Sequence, residues 1–170
     1  MKQNNKQFIL SCCALLITLY ASGAFALESD ADQPITIDSN TATYDDATAT
    51  STYSGNVISV QGSIRVNSDK LVVYLKDGEV EKLVFTGKRA KFRQTPSQGG
   101  DDIIGEALIG EYYPKKNLLT LIDEATVTQG NATYTSKFIE YDIKSALVKA
   151  GEKSSDAKRV HAILKPKKEK

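Results

Sequence analysis

From position 35 onward, apolar side chains recur at every second residue. Ile35 and Ile37 flank Thr36, Ile64 and Val66 flank Arg65, and Leu83 and Phe85 flank Val84. The same alternation returns at Ala90 and Phe92, Leu119 and Leu121, Ala125 and Val127, Ala132 and Tyr134, and Ala146 and Val148. It closes with Val160, Ala162 and Leu164. Successive side chains on a strand point to opposite faces, so this period predicts half-buried β-strands. The segment Leu71 to Tyr74 is apolar on both faces, and Phe138 to Ile143 is a further run of the alternating series. Thr, Val, Ile and Tyr fill the runs and suit a pleated surface. Ala146 to Lys158 has helical length, but its opening alternation predicts a strand and then a loop. Turn signals at Ser54-Gly55-Asn56, Gln61-Gly62, Lys76-Asp77-Gly78, Thr86-Gly87-Lys88 and Gln129-Gly130-Asn131 punctuate the series. Short strands at such spacing predict an all-β sandwich, jelly roll or solenoid. The one long loop runs from Thr95 to Asp102, as a surface loop or a hinge between halves.

The chain also repeats itself. The phrase Gly55-Asn56-Val57-Ile58-Ser59-Val60-Gln61-Gly62 returns as Asp123-Glu124-Ala125-Thr126-Val127-Thr128-Gln129-Gly130, 68 residues on. At that offset Tyr44 falls on Tyr112, Val66 on Tyr134, Ser68 on Ser136 and Leu71 on Ile139. Two copies of one β-rich unit predict an elongated, modular architecture. Such a molecule offers a long binding surface more readily than a compact catalytic pocket.

The first residues read as a processing signal. Lys2 and Lys6 precede an apolar run from Phe8 to Ala21, and Ala24-Phe25-Ala26 fits small-residue cleavage, so residues 1–26 are expected to be removed. The run is short for a membrane span, which needs about 20 residues. Cys12 and Cys13 both lie inside it, so the exported chain would have no disulfide and no thiol chemistry. Residues 27–165 form one expected domain, large enough for a core. The last five, 166–170, read as a basic tail. Of 22 basic residues two leave with the signal, against 21 acidic ones, so the exported chain has a net charge of −1. A body without a basic face disfavours nucleic acid.

Catalytic chemistry is sparse. Trp is absent and the one histidine, His161, sits in the final strand pattern. No nucleophile elbow, phosphate loop or dinucleotide motif occurs. Asp45-Asp46, Asp101-Asp102 and Asp123-Glu124 are neighbours in sequence, so their carboxylates diverge across a strand rather than converge on a metal or glycosidic bond. No catalytic residue, metal site or cofactor is expected, and binding or scaffolding is favoured. A secreted β-rich carbohydrate-binding or surface-attachment module is the alternative, although the lack of Trp argues against aromatic platforms. A glycan-cleaving enzyme would need a carboxylate pair that is not found.

Two longer phrases are specific. Asp32-Gln33-Pro34-Ile35-Thr36-Ile37-Asp38-Ser39 leads into Tyr53 to Leu71, which holds G-N-V-x-x-x-Q-G-x-I-x-x-x-x-D. Together with the ending Lys158 to Pro166, they resemble the OstA-like (LptA) family of periplasmic lipopolysaccharide transport proteins across the whole exported chain. The resemblance implies an open, twisted, V-shaped β-jelly roll of two antiparallel sheets and about sixteen short strands. It implies a periplasmic bridge that passes lipopolysaccharide from the inner to the outer membrane, with the lipid A acyl chains between the sheets. The implied partners are LptC at the inner membrane, LptD at the outer membrane, and further copies of the chain arranged head to tail.

On that reading the lipid groove is lined by inward positions: Ile35, Ile37, Ile64, Val66, Phe85, Phe92, Tyr112, Leu121, Tyr134 and Phe138. The family resemblance ranks Ile35, Phe92 and Tyr112 first. A charge at Phe92 or Tyr112 is expected to weaken lipid binding more than folding. The terminal strands supply the second device. Ile35, Thr36 and Ile37 at one end, and Val160, His161, Ala162, Ile163 and Leu164 at the other, would be unpaired edges able to join copies. Pro34 and Pro166 bracket them and would limit the pairing, since proline donates nothing to a ladder.

Overall fold

The structure, a computed structural model, describes residues 30–95, 101–151 and 159–166. The expected signal (1–26), most of the 95–102 loop and the tail beyond Pro166 lie outside these residues. A 3-10 turn at Asp30–Asp32 leads into ten strands: β1 Thr36–Asp38, β2 Thr41–Asp45, β3 Thr50–Gln61, β4 Ile64–Lys76, β5 Glu79–Gln94, β6 Ile103–Tyr113, β7 Leu118–Gln129, β8 Ala132–Asp142, β9 Leu147–Ala150 and β10 His161–Leu164. All are antiparallel to their neighbours and make one sheet in the order β1-β3-β4-β5-β6-β7-β8-β10, with β2 also on β3 and β9 also on β8. The sheet stays open, as expected for this fold class.

The strand count differs from expectation: ten rather than about sixteen, in one sheet rather than two. The reason lies in the punctuation. Gly55-Asn56 and Gly87-Lys88 are not turns between strands. They fall inside β3 and β5, where the ladders shift register at Ser54/Val57 and Thr86/Ala90. Matching shifts occur at Asn67/Lys70, Glu106/Ile109 and Ile122/Ala125. Extra residues in a ladder bend it and sharpen its twist. Here the irregularities line up across six strands, so the whole sheet folds over along one line. Its two halves face each other and take the place of the two expected sheets. True reversals occur at Asp77-Gly78, both at positive φ (53° and 80°), as a tight hairpin with mirror-image dihedrals requires.

The internal repeat is reproduced in the ladders residue for residue. Ser51 pairs with Val73 and Leu119 with Tyr141; Val57 pairs with Ser68 and Ala125 with Ser136; Gln61 pairs with Ile64 and Gln129 with Ala132. Even the bend matches: Gly55-Asn56 and Asp123-Glu124 are both consecutive pairs at positive φ, so the acidic pair does the backbone work of the lost Gly-Asn. β1 and β2 pair with β3 in the register that the unbroken β6 uses on β7. By the same logic β9 and β10 stand on β8 as the two ends of β5 stand on β4. Each unit is four bent strands, and the outermost strand of each is split.

The core lies between the half-sheets. Val57, Ile64, Val66, Leu71, Phe85 and Phe92 from the first unit meet Leu119, Leu121, Val127, Ile139 and Tyr141 from the second. Two glycines leave room for interior side chains. A Cβ on Gly110 would lie 2.1 Å from the ring of Phe85, its ladder partner, whereas the atom nearest to one on Gly105 would be the Leu121 Cδ1 methyl at 2.8 Å. A rigid ring between packed strands yields less than a terminal methyl. Gly110→Ala is therefore expected to destabilise by about 2–3 kcal/mol and Gly105→Ala by clearly less. Thermal denaturation of the two variants checks the ranking.

Candidate functional site

The interior contains most of the residues named from the alternation. Ile64, Val66, Phe85, Phe92, Tyr112 and Leu121 are buried in one cluster, and Ile35, Ile37 and Tyr134 pack partly buried against it. Phe92 meets Tyr141 edge to face, with ring centroids 6.4 Å apart. This brings together residues from both half-sheets, because β5 contributes Phe92 beyond its bend and β8 contributes Tyr141 beyond its own.

Phe138 is the exception. It is half-buried, pairs with Ile122, and is outside the core cluster. Ser136 and Ile139 both face the core, with only Lys137 and Phe138 between them. The bend therefore flips the phase of β8, and counting by twos from Tyr134 puts Phe138 on the wrong face. The same flip makes Ile139 and Tyr141 interior residues.

The interior is closed in this state. A narrow cleft of about 10 Å³ remains, lined by Ile35, Ser59, Gln61, Ile64, Val66, Leu71, Leu83, Phe85 and Tyr112. Its walls come from both half-sheets. An apolar wall of this kind can take up hydrocarbon by replacing side-chain contacts with chain contacts.

Alternation does not reveal the polar residues at the rim. The Tyr112 hydroxyl donates to Gln61 Oε1 at 3.0 Å, and the Tyr141 hydroxyl donates to Gln94 Oε1 at 2.9 Å. Gln61 Nε2 donates to the carbonyls of Ala31 and Gln33 (3.1 and 3.0 Å), and Gln94 Nε2 donates to Asp30 Oδ2 at 2.9 Å. Asp30 also accepts from the Ser63 amide (2.6 Å) and hydroxyl (2.8 Å). All four glutamine and tyrosine side chains are in buried residues. Two glutamines on inward positions of apolar strands were the available signal, because a buried amide requires partners.

Burial raises the Tyr112 hydroxyl above the usual phenol range, with the Asp30 charge adding to it. Burial first, then the charges of Asp142 and Asp30, push Tyr141 up to about 12. A folded pKa above the unfolded value near 10 means that this contribution is intact below pH 10. It is lost as pH rises through about 12. Stability is thus expected to fall across that window, and Tyr141→Phe should flatten the fall. Chemical denaturation at stepped alkaline pH measures it.

The edges carry the remaining named positions. β1 and β10 lie at opposite ends of the sheet, each with a partner on one side only among the described strands. Tyr44, Leu147, Val160, Ile163 and Leu164 are the exposed large apolar residues among those described, and all lie on or beside edge strands. Leu164 is 72% exposed although its ladder partner Ala132 is half-buried. Pro34 precedes β1 and Pro166 follows β10. His161 stands exposed opposite Thr135. Among the described residues no cluster of three or more His, Cys, Asp or Glu could hold a metal ion, and no helix is long and apolar enough to cross a membrane.

A bent, open sheet with an apolar interior and, among the described strands, two unpaired edges defines an open β-jelly-roll scaffold. Residues 36–146 match the family described as LptA/(LptD N-terminal domain) LPS transport protein, and the chain belongs to this lipopolysaccharide transport family. It is 31% identical over 160 residues to the lipopolysaccharide export system protein LptH of Pseudomonas aeruginosa, covering 91% of each chain. It is 35% identical over 145 residues to LptA of Escherichia coli K12, covering 84% of this chain and 77% of that one. The Haemophilus influenzae LptA is 31% identical over 153 residues, covering 88% and 87%. In three dimensions the chain is similar to the crystal structure of LptH, described as the LptA-homologous periplasmic component of the transport device, with a TM-score of 0.75 and 28% identity. That match covers 82% of this chain and all of the other.

Proposed function

We propose that this protein carries lipopolysaccharide through the periplasm from the inner to the outer membrane, holding the lipid A acyl chains between its half-sheets. The supporting observation is the joint one: a continuous apolar interior in a sheet whose two ends are both unpaired. Each methylene removed from water gains about 0.8 kcal/mol, so several acyl chains cannot cross an aqueous space uncovered. The interior supplies the cover, and the edges supply continuity from one molecule to the next. The chain would hand over to, or receive from, LptC at the inner membrane and LptD at the outer membrane.

The β5·β6 ladder gives the pattern for joining copies, because it already links the end of one unit to the start of the next. There Lys91 faces Glu106, Phe92 faces Gly105 and Arg93 faces Ile104. By repeat equivalence β10 of one copy meets β1 of the next with His161 opposite Asp38, Ala162 opposite Ile37, Ile163 opposite Thr36 and Leu164 opposite Ile35. Inward residues then continue inward across the junction, which covers Leu164. Paired cysteines at 161 and 38 on successive copies would form a disulfide, while 161 and 36 would not, since diagonal partners lie about 7–8 Å apart.

A photoreactive residue at position 92, irradiated in cells, tests the lipid reading. An adduct with lipopolysaccharide is expected there and not at Lys91, which faces outward. Labelling at 91 with none at 92 would overturn it.

A further inference from the structure

The bend brings the far ends of every long strand together, so the folded sheet has a mouth along the side opposite its crease. One lip is formed by the ends of β3, β5 and β7 near Gln61, Gln94 and Gln129, the other by the strand ends near Tyr112 and Tyr141. The two tyrosine–glutamine hydrogen bonds run from lip to lip. The segment from Asp30 to Gln33 lies over the same glutamines and is bonded to both of them. Its far anchor is the β3–β4 turn, through Ser63.

We infer that Gln61–Tyr112 and Gln94–Tyr141, pinned by the Asp30–Gln33 strap, form a polar clasp that holds the mouth of the interior shut until lipid enters. The inference rests on the lipid-binding reading above. Three features support it. The bonds join the two half-sheets rather than neighbours in one ladder, so parting the halves must break them. They are neutral side-chain bonds, which water can replace at small net cost once the mouth opens. And each joins a glutamine of the first unit to a tyrosine of the second, Gln61 on β3 to Tyr112 on β6 and Gln94 on β5 to Tyr141 on β8, so the pair ties the interior from β3 to β8.

The test uses Tyr112→Phe with Tyr141→Phe, which keeps the rings and removes only the hydroxyls. Nitroxide labels go at Asn131 and Lys144, exposed at the opposite ends of β8 and hence on opposite lips, in the chain from residue 27 onward, which has no cysteine of its own. Without lipid, the double variant should show a longer and broader label-to-label distance than its parent. It should also take up lipopolysaccharide from micelles about thirtyfold faster, the factor set by losing both neutral hydrogen bonds at the closed mouth. A lower melting temperature with unchanged distance and unchanged uptake would overturn the clasp and leave ordinary core hydrogen bonds. If the parent protein took up no lipopolysaccharide, the lipid reading would fail, and the distance measurement alone would then decide whether the clasp gates the mouth.

Discussion

Phe92→Asp should leave the protein without a cooperative melt at any ordinary temperature. The ring is fully buried, edge to face with Tyr141, at the contact between the half-sheets. Truncating a buried phenylalanine costs about 3–5 kcal/mol through lost transfer energy and the cavity it leaves. A carboxylate in its place adds a desolvation cost of several kcal/mol, with no inward cation to pair it. Against a total stability of about 5–15 kcal/mol, the sum removes the folded state. This runs against the expectation drawn from the groove reading, that a charge at Phe92 or Tyr112 would weaken lipid binding more than folding. Complete burial makes both positions structural in the closed state. Circular dichroism on heating decides it, and a normal sigmoidal melt for the aspartate variant would mean that the interior stands open to water in solution. Phe92→Leu, which keeps the site apolar, is the variant suited to lipid-binding measurements.

Removing residues 160–170 should abolish association between copies while the remaining sheet folds. β10 touches its own molecule through one ladder only, on β8. Its residues are all exposed, with Ile163 at 47% and Leu164 at 72%. It therefore contributes little to the monomer and much to any partner that adds a strand to that side. A second variant keeps the chain length: the Lys165 amide bonds Asn131 on β8, so by alternation the Ala162 amide points to the free side, and Ala162→Pro deletes that donor without shortening the protein. Light scattering should show a single-copy mass for both, and far-ultraviolet dichroism an unchanged β signal. Undiminished assemblies in both variants would end the edge-pairing model.

How much of this was legible beforehand depended on what each signal reports. Alternation reports which face is wet, so it located β1, β4, β5 and β7 through β10, though not β2, β3 or β6, and placed Ile64, Val66, Phe85 and Leu121 inside. The repeat located the two units, because matching ladders need matching residues. Alternation fails where the backbone changes phase. Gly55-Asn56 resembles a hairpin turn by composition, and only its long-range partners Lys70 and Ser68 reveal it as a bend within one strand. Phe138 was misplaced for the same reason. The rim residues escaped because a glutamine on a strand carries no hint of what it bonds to. Asp30, from a segment with no periodicity, closes a network with residues 33 and 64 positions away.

The duplication within the sheet has a consequence for traffic. If successive molecules join as β5 joins β6, a passenger cannot tell a boundary between molecules from the seam inside one. Every four strands, about 19 Å at the usual interstrand spacing, it meets an equivalent berth. The track would then have a single step length over its whole span, however many molecules compose it.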